Sequence, residues 1–145
     1  MPTKVYTGST FSEAQPKYWS ESSWLVPKFV KVWTGAAWQN VFVRFTGAVS
    51  PTTLTGSTSF TGAAWIGQTA SSATATPEGG TGTVTYSWRR VSGDNTITAM
   101  SGTSQSTKFQ YNSASIGSGQ ADFVCDVEDS AGNTATTDAV TVEFS

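Results

Sequence analysis

Histidine is absent from the 145-residue chain, cysteine occurs once, leucine twice, and only 12% of the residues are charged. Without imidazole there is no Ser-His-Asp or Cys-His pair, no imidazole-ligated zinc, and no ordinary general base working near pH 7. The single Cys125 can neither close an internal disulfide nor build a thiolate metal site, so it gives no evidence of an oxidising compartment. Leu, Glu, Lys and Arg do not recur at helical spacing, which excludes a helical bundle. Lys and Arg stand singly apart from Arg89-Arg90, the net charge is −2, and no basic stripe suited to nucleic acid forms. No apolar run is long enough to span a membrane, and Met1 to Thr10 lacks the apolar stretch of a signal peptide. The sequence thus predicts a non-enzymatic protein made in the cytoplasm, without cofactor or metal, and with neither nucleic acid nor an inserted membrane as partner.

What is present is Ser, Thr, Gly and Ala, with 12% aromatics that include six Trp. Disordered chains are charged and poor in aromatics, so most of this one folds. Thr, Val and aromatic residues favour strands, and the class expected is all-β. The composition shifts near residue 50: Trp19, Trp24, Trp33, Trp38 and most Lys precede it, whereas Thr, Ser and Gly dominate after Pro51. The expected organisation is an aromatic-rich N-terminal β-hairpin docking region over 1–50, a linker or first edge strand over 51–66, and a β-sandwich over 67–145.

Tyr6-Thr-Gly-Ser-Thr-Phe11, Trp33-Thr-Gly-Ala-Ala-Trp38 and Phe60-Thr-Gly-Ala-Ala-Trp65 share one pattern, each starting 27 residues after the last. The segments differ outside these six residues, so the pattern reads as one turn type used three times rather than as a domain repeat. Thr-Gly supplies the turn and the positive φ, and the flanking aromatics pair across the hairpin. In the middle example, Lys28 to Trp33 and Trp38 to Phe45 form the strands. Phe29 and Trp33 fall on one face and Val30 and Val32 on the other, and Phe42 opposes Val41, Val43 and Phe45. A hairpin apolar on both faces needs cover on both. Phe29, Trp33, Trp38, Phe42 and Phe45 are therefore candidates for a partner interface, the alternative being an ordinary small core.

Beyond residue 67, short strands alternate with turns. Ala73 and Ala75, then Val84, Tyr86 and Trp88, Phe109 and Tyr111, Phe123, Cys125 and Val127, and Val140, Val142 and Phe144 are the expected inward rows. This is the pattern of a Greek-key sandwich. Tyr86-Ser-Trp88, Phe123-Val-Cys125-Asp-Val127 and Asp129-Ser-Ala-Gly-Asn133 resemble strands C and F and the F–G turn of an immunoglobulin-like domain. The resemblance implies a core of Trp88, Phe123 and Cys125, with Trp88 packed on Cys125. Two positions depart from it: an alanine, Ala73 or Ala75, replaces the partner cysteine, and Phe123 stands where the family's tyrosine-corner hydroxyl would be.

Three further patterns bear on chemistry. Gly79-Gly80-Thr81-Gly82 precedes a strand, not a helix, which argues against a phosphate cradle. Asp122, Asp126, Glu128 and Asp129 form an acidic group; alternation puts Asp126 and Glu128 on a solvated face, and calcium binding around Asp129 stays open. Trp19, Trp24 and Trp65 are candidate glycan contacts.

Lys28-Phe-Val-Lys-Val-Trp33-Thr-Gly-Ala-Ala-Trp38-Gln-Asn-Val41 resembles hairpins of tailed-bacteriophage virion proteins, which often append immunoglobulin-like domains. That resemblance implies an accessory protein of the tail or capsid surface. Residues 1–50 would anchor to other virion proteins in a symmetric assembly or homo-oligomer, and the sandwich would stabilise the particle or touch a host-surface glycan. A carbohydrate-binding module is the alternative.

Overall fold

A computed structural model describes residues 4–6, 11–13, 18–20, 22–25 and 29–145, with side chains at 20, 22–23, 30–38 and 44–145. The described residues are all-β, without a helix. The chain divides into two compact units, 1–44 and 45–145.

The first unit holds three two-stranded antiparallel sheets: β1 (Lys4–Tyr6) with β2 (Phe11–Glu13), β3 (Tyr18–Trp19) with β4 (Trp24–Leu25), and β5 (Phe29–Trp33) with β6 (Trp38–Val43). Among the described residues no strand joins one of these pairs to another. The last pair carries a register shift between Val30 and Lys31.

In the second unit, β7 (Thr46–Ser50), β8 (Thr53–Phe60), β9 (Trp65–Thr69), β10 (Ala73–Glu78), β11 (Val84–Gly93), β12 (Ile97–Ala99), β13 (Ser106–Thr107), β14 (Phe109–Ser113), β15 (Gly119–Asp129), β16 (Thr134–Thr136) and β17 (Val140–Phe144) make two sheets. The small one runs β13-β10-β7. The large one runs β11-β15-β17-β8-β9-β14-β12, with β16 also on β15. The chain crosses between the sheets five times, first at the cis Ser50–Pro51 bond and last at Lys108, between β13 and β14.

Between the sheets lies one apolar core: Val49, Ala73 and Ala75 from the small sheet, and Leu54, Trp88, Phe109, Tyr111, Phe123, Cys125, Val127, Val140, Val142 and Phe144 from the large one, all buried. Trp88 and Cys125 are direct cross-strand partners on β11 and β15. Phe109 meets Phe123 at 4.5 Å and the edge of Trp88 at 6.0 Å. The position two before Cys125 donates no hydroxyl. Instead Tyr111, on β14, places its hydroxyl 2.5 Å from Ile116 O and 3.0 Å from Ser118 O, pinning the 114–118 connection. Val84 and Tyr86, expected inward, are only half-buried at the rim of the core.

The segment 51–66, expected as a linker or a first edge strand, is strand over most of its length. It supplies β8 and the start of β9, and β8 pairs in parallel with β17, setting Val142 opposite Leu54. The inward row of β8 is Leu54, Gly56 and Thr58, small after Leu54 because Phe144 lies there, and Phe60 at its end is exposed. A Cβ on Gly56 would sit 2.4 Å from the Phe144 ring.

Candidate functional site

The aromatic hairpins are the feature that the fold leaves most exposed. Tyr6 faces Phe11, Trp33 faces Trp38, and Phe60 faces Trp65 as the last register pair of each hairpin. In the second and third, the Thr amide donates to the Ala carbonyl three residues on, at 3.1 Å from Thr34 and 3.0 Å from Thr61. Each Thr hydroxyl donates to that same carbonyl at 3.0 Å. Gly35 and Gly62 take φ values of 91° and 88°. The ring centroids lie 5.7 Å apart in the tryptophan pair and 5.4 Å apart in the Phe60–Trp65 pair. One turn is thus built twice, because Thr, Gly and two flanking aromatics satisfy it locally. No atom lies within 4 Å of a Cβ built on Gly62, so the only obstacle to Gly62→Ala is its φ. That substitution is expected to cost about 1 kcal/mol, read from the urea midpoint.

A fourth hairpin escapes the sequence pattern because its loop, Ser20-Glu-Ser-Ser23, has no Thr-Gly. Trp19 faces Trp24 across it, and the Ser20 amide and hydroxyl both donate to Ser23 O, at 3.0 and 3.2 Å. The transferable signal is two aromatics flanking four residues, the first of which bears a hydroxyl.

The candidate interface residues separate. Trp33 and Trp38 are 52% and 64% exposed and adjoin Val32 at 45%, forming an apolar end on β5–β6. The Phe29 and Phe42 side chains lie outside the described residues, as do those of Trp19 and Trp24. Phe45 is a correction: β6 stops at Val43, and Phe45 belongs to the second unit, half-buried against its core and over Gly80. Trp65 is also half-buried. A Cβ on Gly117 would lie 2.7 Å from its ring, so the Gly117 backbone occupies one ring face and denies it to a sugar.

Three of the four acids, Asp122, Asp126 and Asp129, do structural work. Asp126 accepts from Arg89 at 2.5 Å and from Thr136 at 2.6 Å, and these bonds hold its carboxyl below the usual range. Asp122 accepts from Ser92 and Thr141, with the same direction of shift. Asp129 is buried, which opposes its ionisation. Hydrogen bonds from the Asn133 side chain and from the amides of Asn133, Thr81 and Ala131 outweigh that and lower its pKa. Its two oxygens therefore accept four hydrogen bonds, three from the 129–133 turn and one from the Thr81 amide. Carboxyls held ionised this firmly are poor proton donors near neutral pH. Burial pushes the Cys125 thiol up, which disfavours a nucleophilic thiolate.

The division into units also exposes a charge asymmetry. Residues 1–44 carry Lys4, Lys17, Lys28, Lys31 and Arg44 against Glu13 and Glu21, a formal net of +3. Residues 45–145 carry Arg89, Arg90 and Lys108 against eight carboxylates, a net of −5.

No family model and no curated protein matches the chain. Among solved structures it is similar to a conjugative transposon lipoprotein from Bacteroides eggerthii, at 17% identity over 69% of this chain and 95% of that chain, with a TM-score of 0.33. The kinship expected with tailed-phage virion proteins is corrected here: what is found is a transposon lipoprotein, and nothing matched is a virion component. With that kinship go the virion location and the accessory tail or capsid role. Nor does so distant a likeness carry an activity, an anchor or a location to this chain.

Proposed function

We propose that the chain is a non-enzymatic structural protein that self-assembles, with residues 1–44 of one copy docking on the acidic 45–145 unit of another. The observation that carries this reading is an exposed apolar hairpin end, Val32, Trp33 and Trp38, within a unit of net charge +3, in a chain whose other unit has net charge −5. Two-stranded sheets are marginal alone and gain stability by covering their apolar side chains. Exposed tryptophans are effective interface anchors, and opposite net charges steer two units together. The 45–145 unit is read as an immunoglobulin-like sandwich, supported by the buried Trp88–Cys125 pair on neighbouring strands. The non-enzymatic reading draws support from the engaged carboxyls and the missing imidazole.

A basic surface meeting a different, acidic one makes a heterologous contact, which closes into a ring or propagates as a filament. Sedimentation of the full-length chain at low salt is expected to show dimers and larger species. About 0.5 M salt should disperse them by screening. Residues 45–145 alone should sediment as a monomer. Trp33→Ala/Trp38→Ala should weaken association at least about ten-fold, the equivalent of about 1.4 kcal/mol. A full-length chain that stays monomeric would overturn self-assembly and leave the hairpin to a different protein surface. Association that survives removal of 1–44 would also overturn it.

A further inference from the structure

The large sheet of the second unit carries, on its outward side, a groove of about 450 Å³ over β8, β9 and β14. Its position follows from register. Ser57, Gln68, Gln110 and Thr98 stand opposite one another as a single row across four strands, and Ser59, Ile66 and Asn112 form the next row. Because neighbouring strands lie about 4.8 Å apart, the polar ends of a row form an evenly spaced ladder. Gln110 Nε2 donates to Thr98 Oγ1 at 3.2 Å, which orients that amide. Ile66 and Met100, 43% and 49% exposed, add apolar surface beside the amides.

We infer that this groove binds a neutral saccharide chain. Charge is the first argument. The unit carries eight carboxylates and three cationic side chains, yet none of them lines the groove. Six of these eleven side chains, Arg89, Arg90, Asp122, Asp126, Glu128 and Asp129, belong to β11 and β15, where Arg89 meets Asp126. An uncharged surface does not compensate the desolvation of an ionic ligand, so a neutral one is selected. Hydrogen-bond chemistry is the second. Gln68, Gln110 and Asn112 each offer both donor and acceptor, as sugar hydroxyls do, so either orientation of a hydroxyl finds a partner. Ile66 and Met100 supply the apolar contact that the C–H face of a sugar ring requires. Topology is the third. β9 is paired along both sides, and the groove lies on the face of the sheet rather than along an edge, so it does not offer the free strand edge onto which a peptide adds. The groove volume also falls within the range of small-ligand clefts. This site is separate from the hairpin end and does not depend on self-assembly.

The test is affinity electrophoresis of the full-length chain through native gels containing glucomannan, dextran or galactan, with polygalacturonate as the acidic comparison. Retardation by at least one neutral polymer and none by polygalacturonate is expected. Gln68→Ala/Gln110→Ala, both at exposed positions, should reduce that retardation about ten-fold while leaving the circular dichroism melt unchanged. Trp33→Ala/Trp38→Ala should leave it intact. The inference is overturned if no neutral polymer retards the chain, if polygalacturonate retards it equally, or if the glutamine variant migrates like the parent. It is overturned too if only the tryptophan variant loses retardation, which would move the sugar to the hairpin end.

Discussion

Trp88→Ala is expected to cost the second unit about 3–5 kcal/mol, the range for emptying a large buried aromatic site. Trp88 is 7% exposed, sits edge-on to Phe109 at 6.0 Å, and stands opposite Cys125. The loss has two parts that a second variant separates. The indole N–H donates to Ser104 O at 2.8 Å, tying the 100–105 loop to the core, and the Trp88 amide donates to Gly102 O at 2.7 Å. Trp88→Phe keeps most of the volume and the main-chain bond but removes the indole donor, so about 1–2 kcal/mol should disappear. Urea unfolding of 45–145, followed by circular dichroism, measures both. If Ala and Phe lose the same amount, the hydrogen bond rather than the packing dominates. A loss below about 1.5 kcal/mol for Ala would mean that the neighbours collapse into the space.

That prediction rests on residues whose inward direction is readable by alternation alone. Phe123, Cys125 and Val127, and again Val140, Val142 and Phe144, are large, apolar and spaced by two, and all are buried. The β8–β9 hairpin is not readable in this way. Its inward positions are Leu54, Gly56 and Thr58, then Trp65, Gly67 and Thr69, where small residues make room for Phe144. An inward row filled from across the core by another strand's ring loses its own hydrophobic period, and the segment then resembles a linker. Phe45 fails for a related reason: it continues the apolar run of β6 in sequence, but the chain has already passed into the second unit.

Sites assembled from several strands are harder still. Gln68 and Gln110 are ordinary polar residues until register sets them side by side. The hairpin turns, by contrast, are readable, because each is closed by residues within six positions. Only the serine version at Trp19–Trp24 escapes, since a hydroxyl and an amide can close the turn without the Thr-Gly pair. Asp129 carries its signal in parity: it shares the face of Phe123, Cys125 and Val127, so an acid there must find donors or stay out of the fold.

Asp129→Ala should therefore be the most costly surface-near substitution, at about 2–3 kcal/mol, because it strands several donors that the turn cannot otherwise satisfy. The amides of Thr81, Ala131 and Asn133 donate to this carboxylate at 2.7, 2.9 and 2.9 Å, and the Asn133 side chain adds a fourth bond at 2.9 Å. Between them these bonds fasten the 79–82 loop to the 129–133 turn. Asp129→Asn is isosteric but presents an N–H group to at least one donor, and should recover less than half of the loss. The acid dependence has a definite sign. The folded-state pKa lies below the unfolded value of about 3.9, so the unfolded chain takes up the proton first as pH falls. The contribution is complete above that unfolded value and drains away as pH drops through the folded one. Asp122 and Asp126 are lowered too and act in the same direction, so the parent should lose stability steeply below about pH 4. Asp129→Asn should start lower and fall less steeply, with the residual slope belonging to the other two acids. Parallel urea-stability profiles for parent and variant between about pH 2 and pH 5 would show that the Asp129 charge does not hold the turn.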